Sequence, residues 1–225
     1  MSALANLEKP RFVYWGLNSR AQMSMLMLRS MNIDYVWDTA TANTWPEPKE
    51  KMPFGQLPVL YHNNLTIAQS GTIARYCAKL ANIWPTNIEH NVMADMLMQQ
   101  SEDIFKLFAK AKYAGDDDQQ RTAWLEVKLN KLPQKLNSLV KLLGEKSYFS
   151  GNNFHAGDIA VFSTMHLMVQ AGLGDMLLQY PTLSAHYQKI LQQGSVKEFV
   201  KDDNKAYFKV PEPKVVHSEK ELQAL

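Results

Sequence analysis

Apolar and polar residues recur with two different periods along this chain, and the period changes near residue 82. Before that point the apolar runs are short and punctuated. Arg11 to Gly16 alternates in the manner of a strand, and Arg20 to Met31 spaces its apolar residues three and four apart, as a helix does. Asp34 to Asp38 reads as a second strand. A polar stretch with Pro46 and Pro48 follows. Val59 to Tyr61 and Leu65 to Ile67 then read as two strands joined by a turn at His62-Asn63-Asn64. Gln69 to Leu80 returns to helical spacing. The order β-α-β then β-β-α predicts an α/β layer with strands of mixed direction.

After Asn82-Ile83-Trp84-Pro85-Thr86 the pattern is almost entirely helical. Ile88 to Ala114 is long enough for a helix of several turns, and Gly115-Asp116-Asp117-Asp118 breaks it. Gln119 to Leu143 predicts a second long helix, bent or interrupted at Pro133. Asp158 to Ala171 is apolar nearly all round and so predicts a buried central helix. Shorter helices are expected around Leu183 to Leu191 and Val196 to Val200. The tail from Tyr207, with Pro211 and Pro213, reads as extended or mobile.

Composition narrows the classes. The chain has 225 residues and a formal net charge of +2, with no Lys/Arg cluster among aromatics, which argues against a nucleic-acid partner. No apolar run approaches the ~20 residues that span a bilayer, and Met1 to Pro10 lacks the apolar centre of a secretion signal. The single cysteine, Cys77, excludes an intrachain disulfide framework and suits a reducing, cytoplasmic setting. Six histidines show no close ligand spacing, so no metal is expected. Met23, Met27 and Met31 form a stripe best read as core packing.

Two segments carry candidate chemistry. Pro53-Phe54-Gly55-Gln56-Leu57-Pro58-Val59-Leu60 puts a proline at the mouth of an apolar strand. Gln69-Ser70-Gly71-Thr72-Ile73-Ala74-Arg75-Tyr76 opens a helix with a polar pair. Together they can hold a small peptide: strand backbone pairs its amide, and helix N–H groups take its carboxylate. Ser70 could equally cap its own helix.

Four further motifs sit around them: Tyr14-Trp15-Gly16-Leu17-Asn18-Ser19-Arg20-Ala21-Gln22, Trp45-Pro46-Glu47-Pro48-Lys49, Glu102-Asp103 and Phe154-His155-Ala156-Gly157-Asp158-Ile159. With these motifs the chain resembles the cytosolic glutathione transferases over residues ~11 to ~200, and most the sigma class, which includes the haematopoietic prostaglandin D synthases and the S-crystallins. The resemblance implies a thioredoxin-like α/β domain at 11–81, a linker at 82–86 and an all-helical domain at 87–206. An extension, 1–10, precedes them and a tail, 207–225, follows. It also implies a homodimer.

By the same resemblance Tyr14 is the catalytic tyrosine and Arg20 adds positive field beside it. A free thiol of pKa ~8.5 is little ionised at neutral pH, and lowering it two units takes only about 2.7 kcal/mol, within reach of a phenolic hydrogen bond to sulfur. Trp45 and Lys49 would hold the glycine carboxylate of glutathione. Leu57, before a cis Pro58, would pair the cysteinyl backbone, with Gln56 beside it. Gln69 and Ser70 would take the γ-glutamyl end. Asp103 would reach the ligand's α-amino group across the dimer, although an acidic pair on a helix more often faces solvent. Trp15, Leu17 and Phe105 would line a pocket for a hydrophobic electrophile or a peroxide.

Asn18, Ser19 and Gln22 depart from the family's usual arginine, glycine and glutamate, which bears on dimer packing. His155 replaces a hydroxyl residue in a helix cap and should weaken it. Lys110 stands where the prostaglandin D synthases have tryptophan. A glutathione-dependent isomerase and a non-catalytic protein of the S-crystallin kind are the alternative functions.

Overall fold

The computed structural model describes residues 8–45, 49–201 and 208–211. Pro46, Glu47 and Pro48 of the tryptophan motif, residues 1–7 and the tail beyond 211 lie outside the described residues. Four strands form one sheet: β1 (Arg11–Trp15), β2 (Val36–Ala40), β3 (Val59–His62) and β4 (Leu65–Ala68). Their order is β2-β1-β3-β4, with β2 parallel to β1 and both β3 and β4 antiparallel to their neighbours. The mixed direction predicted from the element order is thus present. β2 begins two residues later than its apolar pattern suggested; at its start the Val36 N–H donates to the Pro10 carbonyl.

Alternation along β1 sets the site. Phe12 and Tyr14 are buried on one face, whereas Arg11 is exposed. Beyond β1 a single 3₁₀ turn, Ser19–Ala21, leads into α1 (Gln22–Arg29). Helix α1 lies beside α2 (Ser70–Leu80) and packs on the helical layer. Its predicted methionine stripe divides: Met27 is fully buried, but Met31 is exposed at the helix's end.

The helical layer comprises α3 (Ile88–Lys112), α4 (Asp117–Glu126), α5 (Leu132–Leu143), α6 (Ala156–Gln170), α7 (Pro181–Ile190) and α8 (Val196–Lys201). Helix α6 is buried along almost its whole length, as its apolar composition predicts. It crosses α3 closely: a Cβ on Gly157 would lie 2.7 Å from Leu97 and 3.1 Å from the backbone of Ala94, so only glycine fits there.

Two helix boundaries differ from expectation for local reasons. Asp117 and Asp118 are inside α4, because Asp116 accepts from the N–H groups of Asp118 and Gln119 while the Gln119 side chain returns to Asp116. The acid run therefore starts a helix; negative charge is favoured at that end. The interruption near Pro133 is a wider π turn over Val127–Lys131, with Leu132 N–H donating to Val127. That turn makes room for a proline ring that would otherwise meet the preceding turn.

Residues 208–211 of the tail have no helix or strand, in keeping with the extended reading, but they are packed down. Phe208 is fully buried against Phe105, Phe108 and Trp124, and Val210 N–H donates 3.0 Å to the Ala171 carbonyl. At 208–211 the chain is anchored, not free. The unusual residues Asn18, Ser19 and Gln22 are all buried. Gln22 donates to the carbonyl and hydroxyl oxygens of Ser163 on α6, joining the two layers within one chain.

Candidate active site

Tyr14 stands at the end of β1, 4 % exposed, with its phenol at the 3₁₀ turn. The Arg20 N–H donates to the phenol oxygen over 3.4 Å. Burial raises the phenol's pKa, and the Ser19 hydroxyl, the Arg20 N–H and the Arg20 charge pull it back only in part. The group therefore keeps its proton at neutral pH. It is equipped to donate an O–H to an anion, not to act as a phenolate base.

The two candidate segments, around Leu57–Pro58 and Gln69–Ser70, meet in one cleft. A cavity of about 500 Å³ is lined by Trp15, Arg20, Trp45, Gly55, Gln56, Leu57, Pro58, Gln69 and Ser70. The Leu57–Pro58 bond is cis, as the resemblance implies. Trp45 meets Trp15 edge-on, ring centroids 5.8 Å apart. Lys49 runs beside Gly55 on the cleft's rim without lining the cleft itself. Gln69 precedes α2 with φ 69° and ψ 116°, a backbone conformation that non-glycine residues rarely adopt, and such strain clusters at functional sites. No side chain caps α2, so Ser70 does not serve its own helix in that way, and the uncapped end of the helix, Gln69 and Ser70, lines the cleft.

A second cavity of about 290 Å³ adjoins the first. Tyr14, Trp15, Leu17, Ser19, Arg20, Leu57, Phe105, Ala109 and Tyr113 line it. The two share Trp15, Arg20 and Leu57, and Tyr14 opens into the second. All three residues expected for the apolar pocket are present. Ala109 and Tyr113 were not anticipated, although Phe105, Ala109 and Tyr113 recur every four residues and so share one face of α3 and its end.

The acidic pair on α3 splits. Glu102 turns inward and binds Arg20, Nη1 to Oε1 2.8 Å. Asp103 is exposed, within 3.7 Å of Lys106 and 3.9 Å of Lys135, and lines neither cavity. Its expected ligand contact needs a second subunit. One position along a helix is a 100° turn, which is why neighbouring carboxylates face such different surroundings.

Ser150, His155 and Asp158 form another constellation that invites a catalytic reading. The His155 Nδ1 accepts from Gly157 N–H at 2.9 Å, so its proton sits on Nε2 and is donated to Ser150. That tautomer cannot take a proton from the serine. The set is the cap of α6, with Asp158 Oδ2 accepting from His155 N–H at 3.0 Å. The imidazole supplies one half of the capping box in place of a hydroxyl, and the Asp158 carboxylate supplies the other, so the substitution leaves the cap complete. Cys77 is buried, and burial pushes its thiol far above the ordinary range, so it acts as a core residue. Among the described residues no three His, Cys, Asp or Glu side chains group closely enough to hold a metal, and no helix is long and apolar enough to cross a membrane.

Comparison with known proteins bears on the family and the fold. Residues 11–79 match the glutathione S-transferase N-terminal domain and residues 102–203 the glutathione S-transferase C-terminal domain. The hematopoietic prostaglandin D synthase of Mus musculus is 29% identical over 182 residues, 80% of this chain and 89% of the synthase. Among solved structures, rat hPGDS complexed with a quinoline aligns with a TM-score of 0.77 at 23% identity, covering 92% of this chain and 100% of that one. The Fasciola hepatica sigma class GST also aligns at 0.77, with 20% identity and coverage of 88% and 97%. At these identities the structural likeness carries the fold, and the two matched domains, in order along most of the chain, carry the kinship: the chain belongs to the glutathione S-transferase family.

Proposed function

We propose that this enzyme holds glutathione in the polar cleft, stabilises its thiolate with the Tyr14 O–H, and presents the sulfur to a hydrophobic electrophile, or a peroxide, in the adjoining cavity. The observation that carries this is the shared border of the two cavities at Trp15, Arg20 and Leu57, with Tyr14 beside it. In this scheme Leu57 pairs the cysteinyl backbone, which points the thiol at Tyr14. The N–H groups at Gln69 and Ser70 take the γ-glutamyl carboxylate, and Trp45 and Lys49 take the glycine carboxylate. Thiolate formation and orientation then supply most of the acceleration.

A homodimer of the sigma-class kind fits the surface. Ile88, Val92 and Met96 are exposed at four-residue intervals on α3, and Asp103, seven residues beyond Met96, falls on the same face. A second copy covering this stripe would bring Asp103 towards the partner's cleft. The buried single cysteine is compatible with a cytoplasmic setting. The kinship to hematopoietic prostaglandin D synthase motivates an isomerase as the second reading. Lys110, exposed where those enzymes have tryptophan, weighs against it.

Ultraviolet absorbance of bound glutathione, titrated in wild type and Tyr14→Phe, tests the proposal. Wild type should hold the thiol well below its free pKa, and the variant should lose about 10²-fold in kcat against an aromatic electrophile. An unshifted thiol in wild type would overturn it.

A further inference from the structure

Arg20 belongs to the α/β layer, yet what grips its side chain comes from the helical layer. Its Nη1 donates to Glu102 at 2.8 Å, and its guanidinium carbon lies 4.4 Å from the centroid of the Phe105 ring. Glu102 and Phe105 are three residues apart on α3, so they present one face. Phe105 is itself braced: Phe208 meets it edge-on at 5.1 Å and is wedged against Phe108 at 5.6 Å. A line of contacts thus runs from the C-terminal segment through Phe105 to Arg20 and, by the Arg20 N–H, to the Tyr14 oxygen.

Stability does not explain the arrangement. Both partners of the ion pair are about a third exposed, and pairs so wetted contribute little to folding. What the grip does supply is direction. A free arginine sweeps its charge through solvent, whereas one held between a carboxylate and a ring keeps its field fixed.

We propose that Glu102 is a positioning residue for thiolate formation: with Phe105, braced by Phe208, it aims the Arg20 charge at the site where Tyr14 receives the sulfur. The inference rests on the assignment of Tyr14 as the thiolate's partner. It makes the helical layer, which binds the second substrate, a determinant of how glutathione is ionised. Glu102→Ala releases the guanidinium. Glu102→Gln keeps an acceptor oxygen in place and so keeps the grip. Phe208→Ala loosens the ring from behind, and Phe208→Leu restores most of the volume.

The test is the thiol pKa of glutathione bound to the full-length enzyme, read by thiolate absorbance, with kcat and KM for glutathione measured alongside. Glu102→Ala should raise that pKa by about half a unit or more. It should also lower kcat about tenfold while KM stays within about twofold. Glu102→Gln should keep both near wild type. Phe208→Ala should move the pKa in the same direction by less, and Phe208→Leu should restore it. A wild-type thiol pKa and kcat in Glu102→Ala would overturn the inference whatever happens to its melting temperature. If wild type itself shows no lowered thiol pKa, the Tyr14 assignment fails first and the role of Glu102 falls with it.

Discussion

Two helices of this molecule begin in opposite ways. At α6 the N-terminus is closed: His155 accepts from Gly157 N–H, Asp158 accepts from His155 N–H, and both side chains are buried. At α2 the N-terminus is open: Gln69 makes no cap, and the Ser70 end of the helix lines a cleft. Both ends present the same orphan donors and the same dipole. The chain spends its own acceptors on the first and leaves the second for an outside anion. A closed terminus should therefore fail as structure when broken, and an open one should fail as binding.

The largest effect is expected at Asp158. This fully buried carboxylate takes three donors: the N–H groups of Phe149 and His155 and the Nε2 of His186, each at 3.0 Å. Asp158→Ala leaves all three without an acceptor in the interior. A loss of about 3–5 kcal/mol follows from that count. Urea denaturation checks it. A loss below about 1 kcal/mol would show that the closed terminus is not structural. Glutathione affinity of the folded fraction should stay near wild type, because neither cleft touches this cap.

Ser70→Ala is the complementary break. Its side chain closes no cap, so stability should change by less than about 0.5 kcal/mol. Glutathione affinity should fall about tenfold, the worth of one hydrogen bond to a charged group, measured by calorimetry. Unchanged affinity with lost stability would reverse the comparison and make Ser70 an ordinary helix-starting residue.

The contrast also marks what could be read in advance. Local features were legible because they are written in neighbouring residues: strand alternation around Tyr14, the apolar length of α6, the capping spacing of His155 and Asp158. The positive φ at Gln69 left no sign, since glutamine carries none of glycine's freedom. The start of α4 lies earlier than the pattern predicts, because three aspartates resemble a loop until one of them caps. Phe208 was unreadable for a different reason. Its partners lie on α3 and α4, about a hundred residues earlier, where no period links them. The Arg20–Glu102 pair, 82 residues apart, is the same kind of fact. The family resemblance implies the site residues as a set; only the packing of the helical layer on the α/β layer shows which carboxylate of Glu102 and Asp103 turns inward.

The smallest expected effect is a pH dependence confined to the closed terminus. Burial is the main cause that lowers the His155 pKa; Asp158 opposes it, while His90 and His186 add to it. A histidine whose folded pKa lies below its unfolded value near 6.5 stabilises fully above that value. The contribution is lost as pH falls from there through the folded pKa, because the unfolded chain takes the proton first. The protonated ring also loses the Nδ1 lone pair that receives Gly157 N–H. The slope from one such group is at most about 1.4 kcal/mol per pH unit. His155→Thr replaces the titrating acceptor with a hydroxyl. Its urea midpoints should therefore fall less between pH 7 and 5 than those of wild type. Equal slopes in the two proteins would mean that the imidazole cap carries none of the acid sensitivity.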